Sequence, residues 1–174
     1  MEITNKTRKQ MWEIIENKEI QSVFQPIVSL KTGEIYGYEA LSRITKKNCD
    51  FNIGQAFEIA QEMNCLWMFE KLCRMNSIKM SANKPEGAKL FLNVDPNIMH
   101  DPDFKSGLTH KKLRKYNLNY GDIIFEATER SAIEDMETFK ISLKHYKEQG
   151  FRVAIDDVGS GYSGKDFEVL QSIQ

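Results

Sequence analysis

Three compact apolar runs, Leu90-Phe91-Leu92, Ile123-Ile124-Phe125 and Val153-Ala154-Ile155, recur along the chain, separated by stretches long enough to hold a helix. Short, wholly apolar runs of this kind suit strands buried on both faces. Strands that alternate with helices imply βαβ crossovers into a parallel sheet. The helix before the last run is the clearest. Glu134, Asp135 and Glu137 load acid into its start, Phe139, Leu143 and Tyr146 recur at three to four residues, and Gly150 ends it. The fold class is α/β.

The chain opens differently. After an amphipathic stretch from Arg8 to Asn17, Val23-Phe24-Gln25-Pro26-Ile27-Val28 passes through Lys31-Thr32-Gly33 into Glu34-Ile35-Tyr36-Gly37-Tyr38-Glu39-Ala40-Leu41. So short a connection joins antiparallel strands, because a parallel pair needs a crossover of about a dozen residues or more. Helical periodicity follows over 55–62 and again over 66–80, where Phe69, Leu72, Cys73 and Met75 or Asn76 form a stripe expected to face the core. No low-complexity segment or linker divides the chain, so residues 1–174 read as one domain.

Composition narrows the function. With 24 basic against 25 acidic side chains, the net charge is -1 and there is no long Lys/Arg cluster. The electrostatic footprint of a DNA- or RNA-binding surface is missing. No run approaches the roughly 18 apolar residues of a membrane helix and the polar start lacks a secretory core, so a cytoplasmic protein without membrane insertion is expected. Cys49, Cys65 and Cys73 are an odd number without metal-binding spacing and read as reduced thiols, some of them in the core.

Each apolar run ends in an oxygen ligand: Asn93 after the first, Glu126 after the second, Asp156 and Asp157 after the third. Carboxyl ends of parallel strands converge on one face, where active sites sit. Glu39 on the return strand of the hairpin is placed to join them. A single polar residue there would more often cap a helix or face water. The same feature on three successive strands favours a site. Adjacent carboxylates such as Asp156 and Asp157 repel unless a cation or a proton lies between them. Oxygen donors without histidine suit Mg²⁺, Mn²⁺ or Ca²⁺, and so acidic a set can hold two ions, an arrangement that serves phosphodiester hydrolysis. The loop Val158-Gly159-Ser160-Gly161-Tyr162-Ser163 leaves room for a ligand.

Gly37-Tyr38-Glu39-Ala40-Leu41-Ser42-Arg43 resembles the signature of the EAL-domain family of cyclic di-GMP phosphodiesterases. The resemblance continues in order through Phe24-Gln25-Pro26-Ile27-Val28, Leu92-Asn93-Val94, Phe125-Glu126-Ala127-Thr128-Glu129-Arg130 and the segment from Ile155 to Ser163. It implies a TIM-like (β/α) barrel and a metal-dependent hydrolase that converts cyclic di-GMP to linear pGpG in bacterial signalling. It further implies Glu39, Asn93, Glu126, Asp156 and Asp157 as ligands of two Mg²⁺ or Mn²⁺ ions, with Asp156 and Asp157 at the catalytic centre. Glu129 would anchor the glycine-rich loop, while Gln25, Leu41 and Arg43 would lie on the substrate side, Arg43 pairing a phosphate through its planar fork. A cyclic di-GMP receptor or protein-interaction module on the same fold is the alternative.

The family pattern goes on to a general-base lysine and a later glutamate that have no counterpart in this chain. A complete barrel needs roughly 250 residues, so the expectation is an incomplete domain, truncated and not closed. Weak or absent turnover and self-association through an open strand edge, as a homodimer, follow from it.

Overall fold

The computed structural model describes residues 3–116, 118–128, 131 and 135–156. β1 (Ile20–Val28) and β2 (Ile35–Ile44) form the expected antiparallel hairpin, with Ile20 opposite Ile44 and Gln25 opposite Glu39. Its turn is closed by Ser29 N–H donating to the Glu34 carbonyl and by Gly33, whose φ of 72° favours glycine. The register slips by one residue where Ile27 faces Gly37 and Val28 faces Ile35. Tyr36 is the extra residue of this bulge.

β3 (Lys89–Asn93), β4 (Ile123–Thr128) and β5 (Arg152–Asp156) follow in parallel, giving one five-stranded sheet in sequence order. Among the described residues the sheet is open, with β1 and β5 as its edges. Both hairpin strands run beyond their apolar segments, because polar residues such as Ser22 and Ser42 keep their places in the ladder.

The helices are α1 (Asn5–Asn17), α2 (Ile53–Glu62), α3 (Leu66–Met80), α4 (Leu108–Lys115) and α5 (Met136–Glu148). Local chemistry sets their ends. Thr4 caps α1 and leads into a left-handed Lys18 after it. Asn52 and Gln55 build a reciprocal capping box on α2. Asp135 accepts the Thr138 N–H to start α5, and Gly150, at φ 83°, follows its end. Glu134 lies outside the described residues.

Alternate strand residues point to opposite faces. Leu90, Leu92, Ile123, Phe125 and Ala127 share the face covered by helices, against Met11, Ile14, Phe69, Ile78, Phe139 and Tyr146. Cys65 and Cys73 are buried in this core and Cys49 is half-buried; all three are free. Burial pushes the Cys65 thiol up to about 11 and Cys73 to about 12, which keeps both protonated. On α3 the buried stripe departs from the expected one. Phe69 and Cys73 are in it, but so are Glu70, Arg74 and Ser77, whereas Leu72, Met75 and Asn76 lie at its flank. Among the described residues no helix is long and apolar enough to cross a membrane.

Candidate functional site

The face without helices carries the expected residues. Gln25 pairs with Glu39 across the hairpin, Glu39 with Phe91, Asn93 with Glu126, and Thr128 with Asp156. Because the side-chain period is two, these pairings place Gln25, Glu39, Leu41, Arg43, Asn93, Glu126 and Asp156 on one face. Asn93 and Asp156 end their strands, so the group gathers toward the carboxyl edge of the parallel sheet.

Close approach of β2 to β3 depends on Gly37. A Cβ there would lie 2.6 Å from the Lys89 carbonyl oxygen and 2.9 Å from Cε2 of Phe91. The absent side chain lets the backbone two residues before Glu39 lie against β3. The bulge beside it turns Tyr36 onto Phe91, ring centroids 6.0 Å apart, and within 2.9 Å of an Arg152 Nη1 donor. These contacts tie β2 to β5 across the amino end of the same face.

At the carboxyl end, Asn93 Nδ2 donates to Glu39 Oε1 at 2.7 Å. Glu126 is the deepest of the set, 8% exposed, and its Oε2 has no hydrogen-bond partner among the described residues. Burial pushes its carboxyl up to about 8, with repulsion from Glu39 and Asp156 adding to the rise. A buried oxygen without a donor, facing two further carboxylates and an amide, fits a hard divalent cation. The match is to donor chemistry. As placed, no three acidic, histidine or cysteine side chains among the described residues enclose an ion. Asp157 and Glu129, expected as a ligand and as the loop anchor, lie outside the described residues.

The substrate-side candidates flank this group. Leu41, Arg43 and Asn93 line a cavity of about 200 Å³ that continues between α2 and α3 past Phe57, Glu70 and Cys73. Gln25 and Arg43 are exposed, and Arg43 Nη1 donates to the Ser42 carbonyl at 2.8 Å. A cavity of similar size among Phe24, Tyr38, Met80 and Leu90 contains none of the candidates.

Beneath the site lies a polar group that sequence patterning missed. Glu70 and Arg74, 2% and 5% exposed, form an ion pair inside α3, and Arg74 Nη2 also donates to the Tyr146 hydroxyl at 2.9 Å. Their spacing of four was the available signal. It was masked by the apolar residues around them.

A sheet parallel from β2 to β5 with an antiparallel opening hairpin, covered by helices on one face and carrying carboxylates from β2, β4 and β5 on the other, defines an α/β domain of the (β/α)-barrel type with an acidic site at its strand ends. The chain belongs to the EAL domain family, whose model matches residues 7–168. It is 27% identical over 160 residues to the cyclic di-GMP phosphodiesterase PdeF of Escherichia coli, covering 87% of this chain and 20% of that protein. A standalone EAL protein from Vibrio cholerae in its c-di-GMP-bound form is 34% identical, with a TM-score of 0.68 over 89% of this chain and 63% of that one. A manganese and cyclic di-GMP complex of BlrP1 from Klebsiella pneumoniae is 25% identical, with a TM-score of 0.71 over 90% of this chain and 38% of that one. The chain spans about a fifth to a third of the length of the curated relatives it matches.

Proposed function

We propose that this domain binds cyclic di-GMP and, within its whole protein, hydrolyses it to linear pGpG with Mg²⁺ or Mn²⁺ in the cytoplasm. The observation that carries the proposal is the placement of Glu39, Asn93, Glu126 and Asp156 on one sheet face around a buried, partnerless carboxylate oxygen. These residues, with Asp157, would hold up to two ions. Bound metal supplies an activated water and charge stabilisation for the leaving oxygen. The protein's own residues fix the geometry. Asn93 orients Glu39 by its hydrogen bond, and Glu126 presents an oxygen that no donor among the described residues competes for. Gln25, Leu41 and Arg43 border the ligand, Arg43 as the phosphate partner.

The isolated 174-residue polypeptide is expected to turn over weakly or not at all, since none of its lysines matches the family's general base. A receptor that never hydrolyses would have no need for so buried an unpaired carboxylate. The test is an assay of pGpG release by the full-length protein with Mn²⁺, beside calorimetric binding of cyclic di-GMP in Ca²⁺. Glu126→Gln should lower turnover by more than about 100-fold, because even groups that merely orient metal ligands are worth about 10–100-fold. Wild-type protein that binds the dinucleotide and releases no pGpG would favour the receptor reading. Protein that does neither would refute both.

A further inference from the structure

We propose that the buried Glu70–Arg74 pair is a positioning device, fixing the two strand ends that carry Asn93 and Glu126 from the opposite side of the sheet. Glu70 Oε2 accepts the Asp95 N–H at 3.0 Å, two residues beyond Asn93, where β3 leaves the sheet. The Arg74 guanidinium lies 5.0 Å from the ring of Phe125, the residue before Glu126, and donates to Thr109 Oγ1 at 3.4 Å as well as to Tyr146. Between these anchors, Val94 N–H donates to the Glu126 carbonyl at 2.8 Å, binding the two strand ends to each other. One ion pair on α3 therefore touches the backbone just after one candidate ligand and the side chain just before another.

Stability alone does not account for the pair. Replacing a buried ion pair with well-packed apolar residues is often neutral or stabilising, because burying two charges costs as much as their attraction returns. What an apolar pair could not reproduce is the directed bond to Asp95. Asp95 also accepts the Asn97 N–H at 2.9 Å to start the short 3-10 helix Pro96–His100, so a drifting Asp95 would loosen the whole turn after Asn93. Glu70 and Arg74 line the cavity beside Leu41 and Arg43 but make no hydrogen bond to Asn93 or Glu126. They act through Asn93 and Glu126.

The inference rests on the reading that Asn93 and Glu126 ligate a divalent ion. Its test is titration of the full-length protein with Mn²⁺, read by the electron paramagnetic resonance of free Mn²⁺, which needs no turnover. Glu70→Gln keeps the size and the acceptor for Asp95 but removes the charge. The double variant Glu70→Leu/Arg74→Met supplies apolar volume without the directed bonds. The double variant should melt near the wild type, bind Mn²⁺ about 10–100-fold more weakly, and lose kcat with little change in KM, whereas Glu70→Gln should melt lower, because Arg74 stays buried without its counter-ion, and keep Mn²⁺ affinity near the wild type. A folded double variant with wild-type Mn²⁺ affinity overturns the positioning role. If the double variant does not fold, Glu70→Met/Arg74→Leu, a second apolar packing of the same two positions, decides by the same criterion. Wild-type protein that takes up no Mn²⁺, or Glu126→Gln protein that takes it up as well as wild type, overturns the metal site itself and the positioning role with it.

Discussion

Glu126 is under electrostatic tension, and its consequence is a dependence of stability on pH. Its carboxyl is raised from an ordinary value of 4.5 to about 8, burial first and then Glu39 and Asp156. A raised folded-state value means that the folded protein holds the proton more tightly than the unfolded chain. The resulting stabilisation is complete below about pH 4.5 and is lost as pH climbs through about 8. In EDTA, the melting temperature should therefore fall across this window. Glu126→Gln, which fixes the neutral form, should flatten that fall. Mn²⁺ should flatten it too, because a neighbouring cation favours the ionised carboxylate. Melting curves at half-unit pH steps check all three. A slope that survives in Glu126→Gln would assign the effect to another group.

Among the elements, the β2–β3 junction is the tightest. Gly37→Ala would drive a methyl against the Phe91 ring and into the Lys89 carbonyl, which is backbone and cannot give way without moving a strand. Overpacking of this kind costs about 1–3 kcal/mol, to be measured by urea denaturation. Because Glu39 lies two residues on, cyclic di-GMP binding should weaken as well; full affinity with lost stability would show that β2 shifts without disturbing the site. Element identity was legible in the sequence wherever period and punctuation agreed. α3 spans the expected 66–80, and the hairpin and the parallel strands fall where apolar runs and a short glycine turn put them. The buried side of α3 was harder to read. Its centre holds Glu70, Arg74 and Ser77, whose partners Asp95, Tyr146 and Ser22 are far away in the chain. Polarity counts along a helix register cost and miss the distant group that satisfies it. The common face of Glu39, Asn93, Glu126 and Asp156 was legible for the converse reason: a strand end and the period-two rule fix a face locally.

At the scale of the whole molecule, the open sheet has two unlike edges among the described residues. β1 is guarded, because Pro26 lacks an N–H and such residues blunt edge pairing. β5 has no proline, and Val153 and Ile155 are only partly buried against the core. An unguarded edge is a template for another strand. We therefore predict that the isolated 174-residue chain self-associates through β5. Light scattering should give a mass that rises from monomer toward dimer with concentration in the micromolar range. Amide exchange should slow in β5 over the same range while β1 stays unchanged. Slowing in β1 instead would move the interface to the hairpin edge, and a mass that stays monomeric throughout would refute association altogether. The exchange pattern also bears on the site, because Asp156 ends β5. If a second chain pairs there, Mn²⁺ affinity should change with protein concentration. If Asp156 is untouched by association, the affinity should be the same at every concentration.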